Sequence, residues 1–321
     1  MDRGHAMNRY ARQEAVLGAD AQARLRAARV LVVGAGGLGA PVLPYLAGAG
    51  VGLIRLADPD RVEATNLHRQ TLFRMDDIGT PKALAAAAAL RALNPDCRVE
   101  PMETMLDPAN AATLAQGVDL VLDCADSFAV AYILSDLCRD MGLPLIHAAV
   151  TGTEGYAGGF CGGAPSLRAV FPDLPQQMGS CARDGVLGPV VGVLGAVQAQ
   201  MAVAQLAGLP SPLGRLISYD GAAHRFGGFA FTGAPEPTRA PRFVAPSQLT
   251  PQDLIIDLRG ADEAPLFPRA RRCADVTTLH PAAGQRVALC CRSGMRAFTA
   301  AETLAATWPG EIALVALGDP T

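Results

Sequence analysis

No C-x-x-C pair occurs in these 321 residues, although there are eight cysteines. Paired-cysteine metal motifs are thereby excluded, and in a chain of this size and class the thiols read as reduced rather than as a disulfide framework. Basic residues form no block and the formal net charge is −3, which removes the electrostatic footprint of a nucleic-acid binder. The opening MDRGHAMNRY has no apolar core and no small-residue cleavage pattern, so neither a signal peptide nor a membrane anchor is read there, and a cytoplasmic protein is expected. Met7 is an alternative start. Lysine is almost missing: Lys82 stands alone, every other basic residue being arginine.

What is present centres on Val30 to Gln70. Four apolar residues, Val30 to Val33, run into Gly34, Gly36 and Gly39 in a G-x-G-x-x-G array, which predicts a buried strand, a tight turn and a helix. Gly34 permits the turn, Gly36 lets a ligand approach the backbone, and Gly39 lets helix and strand pack closely. The helix N-terminus offers N–H groups to an anion. Asp58 closes the next apolar run, Leu53 to Ala57, where an acid can accept hydrogen bonds from ribose hydroxyls. On spacing alone this is the dinucleotide cradle of an NAD-dependent oxidoreductase. Thr65-Asn66-Leu67-His68-Arg69-Gln70 adds an amide, a guanidinium and a second amide, which suit a triphosphate better than a nicotinamide.

Together GAGGLG, DPD and TNLHRQ resemble the MoeB/ThiF/HesA family, relatives of ubiquitin-activating enzymes that adenylate the C-terminal glycine of small sulfur-carrier proteins. The resemblance spans about Asn8 to Gly233. It implies a Rossmann-like mixed α/β sheet of the ThiF type, ATP and Mg2+ as cofactors, and a homodimer. Gly34, Gly36, Gly37 and Gly39 would cradle the nucleotide, Asp58 would hold the ribose, Asn66 would orient the phosphates, and Arg69 and Lys82 would offset their charge. Arg12, in the R-Y-x-R-Q opening, would reach the phosphates of the partner subunit. Asp126 would hold magnesium at the end of the strand Val118 to Cys124. Family members often read D-x-x-D-N there, and this chain has Ser127 in place of the asparagine. His147, on the strand Leu143 to Ala149, reads as a packed core or rim histidine.

Two cysteine features follow from the resemblance. Many relatives bind a structural zinc through two C-x-x-C pairs. Here Pro165 to Pro172 carries serine and alanine at those positions and no second pair precedes Pro235, so no zinc is expected. Cys181 lies in a match to the family's T-C-x-x-x-G-V-x-x-P, whose cysteine is associated with a covalent link to the carrier; beside Arg183 its thiolate would be favoured. Val186 to Leu206 reads as a long small-residue helix suited to packing and dimer contact.

Residues 234–251 read as a linker. Beyond them, 252–321 resemble a shortened rhodanese domain. The strand Arg286 to Cys290 runs into Cys291-Arg292-Ser293-Gly294-Met295-Arg296, matching a C-R-x-G-x-R loop. Cys291 would carry a persulfide, cradled by backbone N–H groups and completed by Arg296, while Cys290 would point into the core.

The resemblance implies an adenylyltransferase acting on a ThiS-type or MoaD-type carrier, with a persulfide donor such as a cysteine desulfurase, serving thiamine or molybdopterin synthesis. A carrier-binding scaffold that has lost its chemistry and an NAD-dependent oxidoreductase are the alternatives.

Overall fold

The computed structural model describes residues 8–172 and 185–318. The apolar runs read as buried strands form the parallel half of an eight-stranded sheet. These are β1 (Arg29–Val33), β2 (Leu53–Ala57), β3 (Arg98–Met102), β4 (Leu120–Asp123) and β5 (Pro144–Thr151). They are completed by β6 (Glu154–Cys161), β7 (Arg215–Asp220) and β8 (Arg225–Ala230) in the order 3-2-1-4-5-6-7-8. Pairing is parallel from β3 to β5 and antiparallel from β5 to β8. The expected mixed Rossmann-like α/β sheet is therefore present. The strand order turns back between β1 and β4, and such a switch point opens a crevice beyond the strand C-termini.

Helices cover both faces. They are α1 (Ala11–Leu17), α2 (Ala19–Ala27), α3 (Gly39–Ala49), α4 (Lys82–Leu93), α5 (Ala111–Leu114), α6 (Phe128–Met141), α7 (Leu167–Val170) and α8 (Gly188–Ala207). One face packs α3, α4 and α8 on Val30, Val32, Ile54 and Leu122; the other packs α6 on Leu31, Val33, Val121 and Leu145. The alternation in β1 divides the core. Helix α8 is long and apolar enough to cross a membrane, but half of that apolar window is buried within the fold. Its closeness to α3 depends on Gly195, where a methyl group would lie 2.3 Å from Pro41 Cγ.

A second, fully parallel sheet follows, with β9 (Arg242–Phe243), β10 (Leu254–Asp257), β11 (Arg271–Arg272), β12 (Val287–Cys291) and β13 (Ile312–Ala316) in the order 11-10-12-13-9, and with helix α9 (Met295–Ala305). Strand β9 falls inside 234–251. The stretch read as a linker thus supplies an edge strand, because backbone pairing with Ala313 and Leu314 needs no periodic apolar pattern.

The two sheets meet on α6. Phe128 packs on Tyr132, Phe243 and Phe298 with ring centroids 4.7, 6.2 and 5.6 Å apart. Arg242 forks onto Asp140 at 2.5 and 2.9 Å. Deeper in, Arg168 binds Asp136 through two bonds of 2.6 and 2.9 Å, donates to the Pro241 carbonyl at 3.1 Å and stacks over Tyr132. The segment expected to lack zinc ligands is tied by a carboxylate: Glu236 accepts from Ser166 N and Oγ at 2.6 and 2.7 Å and from Arg139 at 3.1 Å. Arg168 and Asp136 are buried, so removing one partner strands a charge in a low-dielectric site. Arg168→Met is expected to lower stability by about 3 kcal/mol in urea unfolding, and Arg168→Met with Asp136→Leu is expected to lose less than the single variant.

Candidate active site

Strand β1 ends at the glycine turn. Gly34 has φ +97°, and a methyl group on it would lie 2.7 Å from the Cys124 carbonyl oxygen and 2.9 Å from Ala125 N. The turn therefore lies directly on the loop that follows β4. On Gly39 a methyl would be 2.3 Å from the Gly34 carbonyl oxygen and on Gly37 2.9 Å from Val191 of α8. Gly36 is different: a methyl there would come no closer than 3.8 Å, to Gln70 Nε2. Its space is open.

Asp58, just past β2, is buried; it accepts from Ala35 N at 2.7 Å and Asp60 N at 2.8 Å. Burial pushes its carboxyl above the usual carboxylate range, while those N–H groups and the Lys82 ammonium pull it back. Lys82 begins α4 and is brought here by a backbone zipper: Val62 N donates to Thr80 O, Gly79 N to Val62 O and Lys82 N to Asp60 O, at 2.9, 2.8 and 2.8 Å. Its ammonium is buried and bound to Asp60 Oδ2 at 2.9 Å. Asp60, the second acid of the D-P-D motif, had no role in the sequence reading. Its partnership with Lys82 spans 22 residues.

The Ala64–Asn66 turn carries the polar cluster. Asn66 O accepts from Arg69 N and Gln70 N at 3.1 and 3.0 Å, and Asn66 Nδ2 donates to Thr65 Oγ1 at 3.4 Å. Arg69 Nη1 lies 2.9 Å from His68 Nε2, and the arginine stem runs beside Gly37. Gln70, beside Gly36, is buried, and its Oε1 is the one buried side-chain polar atom among the described residues without a hydrogen-bond partner. Such an orphan is costly unless a donor arrives. Gln70 was legible as part of TNLHRQ, but its orphaned oxygen was not.

Asp126 is exposed on the loop after β4; Ser127 caps α6 by accepting from Val130 N at 3.4 Å. Capping accounts for serine at this position. Arg12 is exposed on α1, whose Gln13 binds the Ala49 carbonyl at the C-terminal end of α3. The glycine turn is at the other end of that helix, about 16 Å away for eleven residues. Within one subunit Arg12 is not brought to the turn.

Residues 10–238 match the ThiF family. The chain belongs to this family. A SAMP-activating enzyme E1 of Haloferax volcanii is 44% identical over 219 residues, which cover 67% of this chain and 81% of that protein. A sulfur carrier protein adenylyltransferase of Thermus thermophilus is 41% identical over 225 residues, 67% of this chain and 83% of that one. The adenylyltransferase and sulfurtransferase MOCS3 of Bos taurus is 46% identical over 220 residues, 67% of this chain but 48% of that protein; this chain spans about half the length of relatives of that kind. Escherichia coli MccB in complex with ATP shares the fold with a TM-score of 0.63 at 22% identity, over 74% of each chain.

The matched ThiF region stops before the Cys291 loop. Cys291 ends β12, is fully buried, and its Sγ accepts from Gly294 N at 3.1 Å and Ala297 N at 3.4 Å. Cys290 faces the opposite side among Ile255, Ala288 and Val315, where burial pushes its thiol up to about 12. Arg296, expected to complete the cradle around the thiol, donates to Leu258 O at 3.2 Å and forks onto Glu263 at 2.6 and 2.5 Å. The bidentate Glu263 carboxylate matches the guanidinium fork. Arg292 is exposed, and Gly294 has φ +86°, with a methyl there falling 2.5 Å from Phe243 and 3.4 Å from Ala129. The thiol loop thus rests on the first turn of α6, three residues beyond Asp126. Cys181 lies outside the described residues.

The glycines separate structural from ligand space. Gly39→Ala is expected to cost about 3 kcal/mol or more in denaturant unfolding. Gly36→Ala is expected to melt within about 2 °C of the parent yet lose ATP affinity by at least about tenfold, as read by titration calorimetry.

Proposed function

We propose that this protein adenylylates the C-terminal glycine of a ubiquitin-like sulfur-carrier protein with Mg-ATP, preparing it for thiocarboxylate formation. The observation that carries the reading is the single lysine of the chain, buried at the start of α4 beside Asp58 and held by Asp60. A buried ammonium near a glycine turn is suited to phosphate charge. The open face of Gly36 and the orphaned Gln70 Oε1 fit an incoming nucleotide. Gly34, Gly36, Gly37 and Gly39 would line it, Asp58 would take the ribose, and Asn66, Arg69 and Lys82 the phosphates. Asp126 would hold magnesium, with Ser127 shaping its loop; when bound, the ion neutralises phosphate charge.

The reaction needs no general base, because a C-terminal carboxylate is already ionised at neutral pH. Its oxygen attacks the α-phosphorus, the bridging P–O bond breaks, and the electron pair leaves with pyrophosphate. Arg12 of a second subunit would add charge from outside, which makes the enzyme a homodimer.

Sulfur chemistry would follow at the second sheet, read as a shortened rhodanese-like domain. Two N–H groups aimed at Cys291 Sγ and the N-terminus of α9 favour an anionic sulfur. A Cys291 persulfide, charged by a donor such as a cysteine desulfurase, would attack the acyl carbon and release AMP. A second thiol would attack the Cys291 sulfur of the resulting acyl disulfide: the S–S bond breaks, the thiocarboxylate leaves, and a protein disulfide forms that an external thiol reductant returns to two thiols. Cys181 is the candidate for that acceptor thiol or for a covalent link to the carrier. A cytoplasmic setting keeps these thiols reduced. The pathway would be thiamine or molybdopterin synthesis, according to the carrier. The oxidoreductase alternative leaves Lys82 and Asp60 without a task.

Carrier-dependent ATP–pyrophosphate exchange, run with a ThiS-type and a MoaD-type carrier, is expected with one of the two; silence with both while ATP still binds favours the scaffold reading. Lys82→Ala is expected to slow exchange by about a hundredfold or more without unfolding the protein. Cys291→Ala should leave exchange intact and abolish persulfide formation; loss of both would overturn the division between the two sheets.

A further inference from the structure

His147 is more than packing. It is buried on β5, and both ring nitrogens are engaged: Nδ1 lies 2.8 Å from Asp123 Oδ2 and Nε2 3.1 Å from the Tyr156 hydroxyl on β6. Asp123, the last residue of β4, has no exposed surface. Its other oxygen, Oδ1, accepts from Ala125 N at 3.1 Å, and its backbone carbonyl accepts from the buried amide of Gln198 on α8 at 2.7 Å. Cys124 N is held by Val33 O at 2.8 Å. The loop of residues 124–127 is therefore pinned at its base, and the middle of that base is a carboxylate whose imidazole partner comes from a different strand.

We propose that His147, oriented by Tyr156, is a positioning residue: through Asp123 it sets the geometry of the loop that presents Asp126. The inference rests on the reading of that loop as the metal–phosphate side of the site. A carboxylate accepts only, so His147 Nδ1 carries the proton toward Asp123. Tyr156 O–H then donates to Nε2 when the ring is neutral. Removing the imidazole leaves Asp123 with an unmatched oxygen at full burial, and the low-cost response is for the end of β4 to shift toward solvent. Asp126 is three residues away, so its position moves with it. Neither His147 nor Tyr156 touches the reacting atoms in this arrangement. Both act through Asp123.

The test compares His147→Leu, His147→Asn and Tyr156→Phe in the full-length protein. The asparagine amide replaces Nδ1 and keeps the bond to Asp123, whereas leucine keeps only bulk. Binding of ATP without metal, and of Mn-ATP followed by the electron paramagnetic resonance of the manganese, are measured beside the melting temperature. His147→Leu is expected to weaken Mn-ATP binding by about tenfold while metal-free ATP changes less than about twofold. His147→Asn should recover to within about threefold of the parent, and Tyr156→Phe should lose about threefold. Equal binding of Mn-ATP by the parent and the leucine variant overturns the inference. So does an equal loss for both ligands that tracks a lowered melting temperature, which would mark a purely structural role. If the leucine variant does not fold, Tyr156→Phe with unchanged Mn-ATP binding overturns it equally. A parent that fails to bind Mn-ATP at all overturns the underlying reading of the site and this inference with it.

Discussion

The site depends on a backbone-to-backbone contact. Gly34 lies so close to Cys124 and Ala125 that a methyl group would overlap the Cys124 carbonyl. Two loops at the ends of adjacent parallel strands are thereby made into one surface. A side chain at position 34 would hold them apart, and protein interiors cannot absorb the ångström needed. Position 34 also needs φ +97°, so glycine is required there on both counts.

Charge is placed on that surface with little freedom. Lys82 is buried against the exposed Asp60, which keeps its ammonium compensated and oriented. Asp58 is held by two backbone N–H groups and belongs as much to the scaffold as to any ligand. The buried Gln70 Oε1 is the opposite case, an acceptor left without a partner. Such an imbalance is tolerated where function supplies the missing group.

The second sheet meets the first at the same end of the molecule. Phe243 and Phe298 pack on Phe128, and Gly294 approaches Ala129, so the buried thiol loop rests on the helix that begins beside Asp126. Edge-to-face aromatic packing adds to area burial. The Arg168–Asp136 pair and the Glu236 tie hold the same boundary with ions and hydrogen bonds, at the segment whose sequence carries no zinc thiolates.

Local rules determined much of this protein. The apolar run into G-x-G-x-x-G fixed strand, turn and helix because each depends on neighbours only a few residues apart; the acid at Asp58 and the lone Lys82 stood out by residue type and spacing. The mixed sheet is implied by the family resemblance, and the opposed directions of Cys290 and Cys291 follow from strand alternation. What only the tertiary structure decided involves partners far apart in the chain: Asp60 as the partner of Lys82, Glu263 as the partner of Arg296, Phe243 as an edge strand in a stretch without periodicity, and His147 joined to Asp123 and Tyr156. No periodicity marks such pairs, because a hydrogen bond between strands is set by register and packing, and those are decided only when the whole sheet has formed.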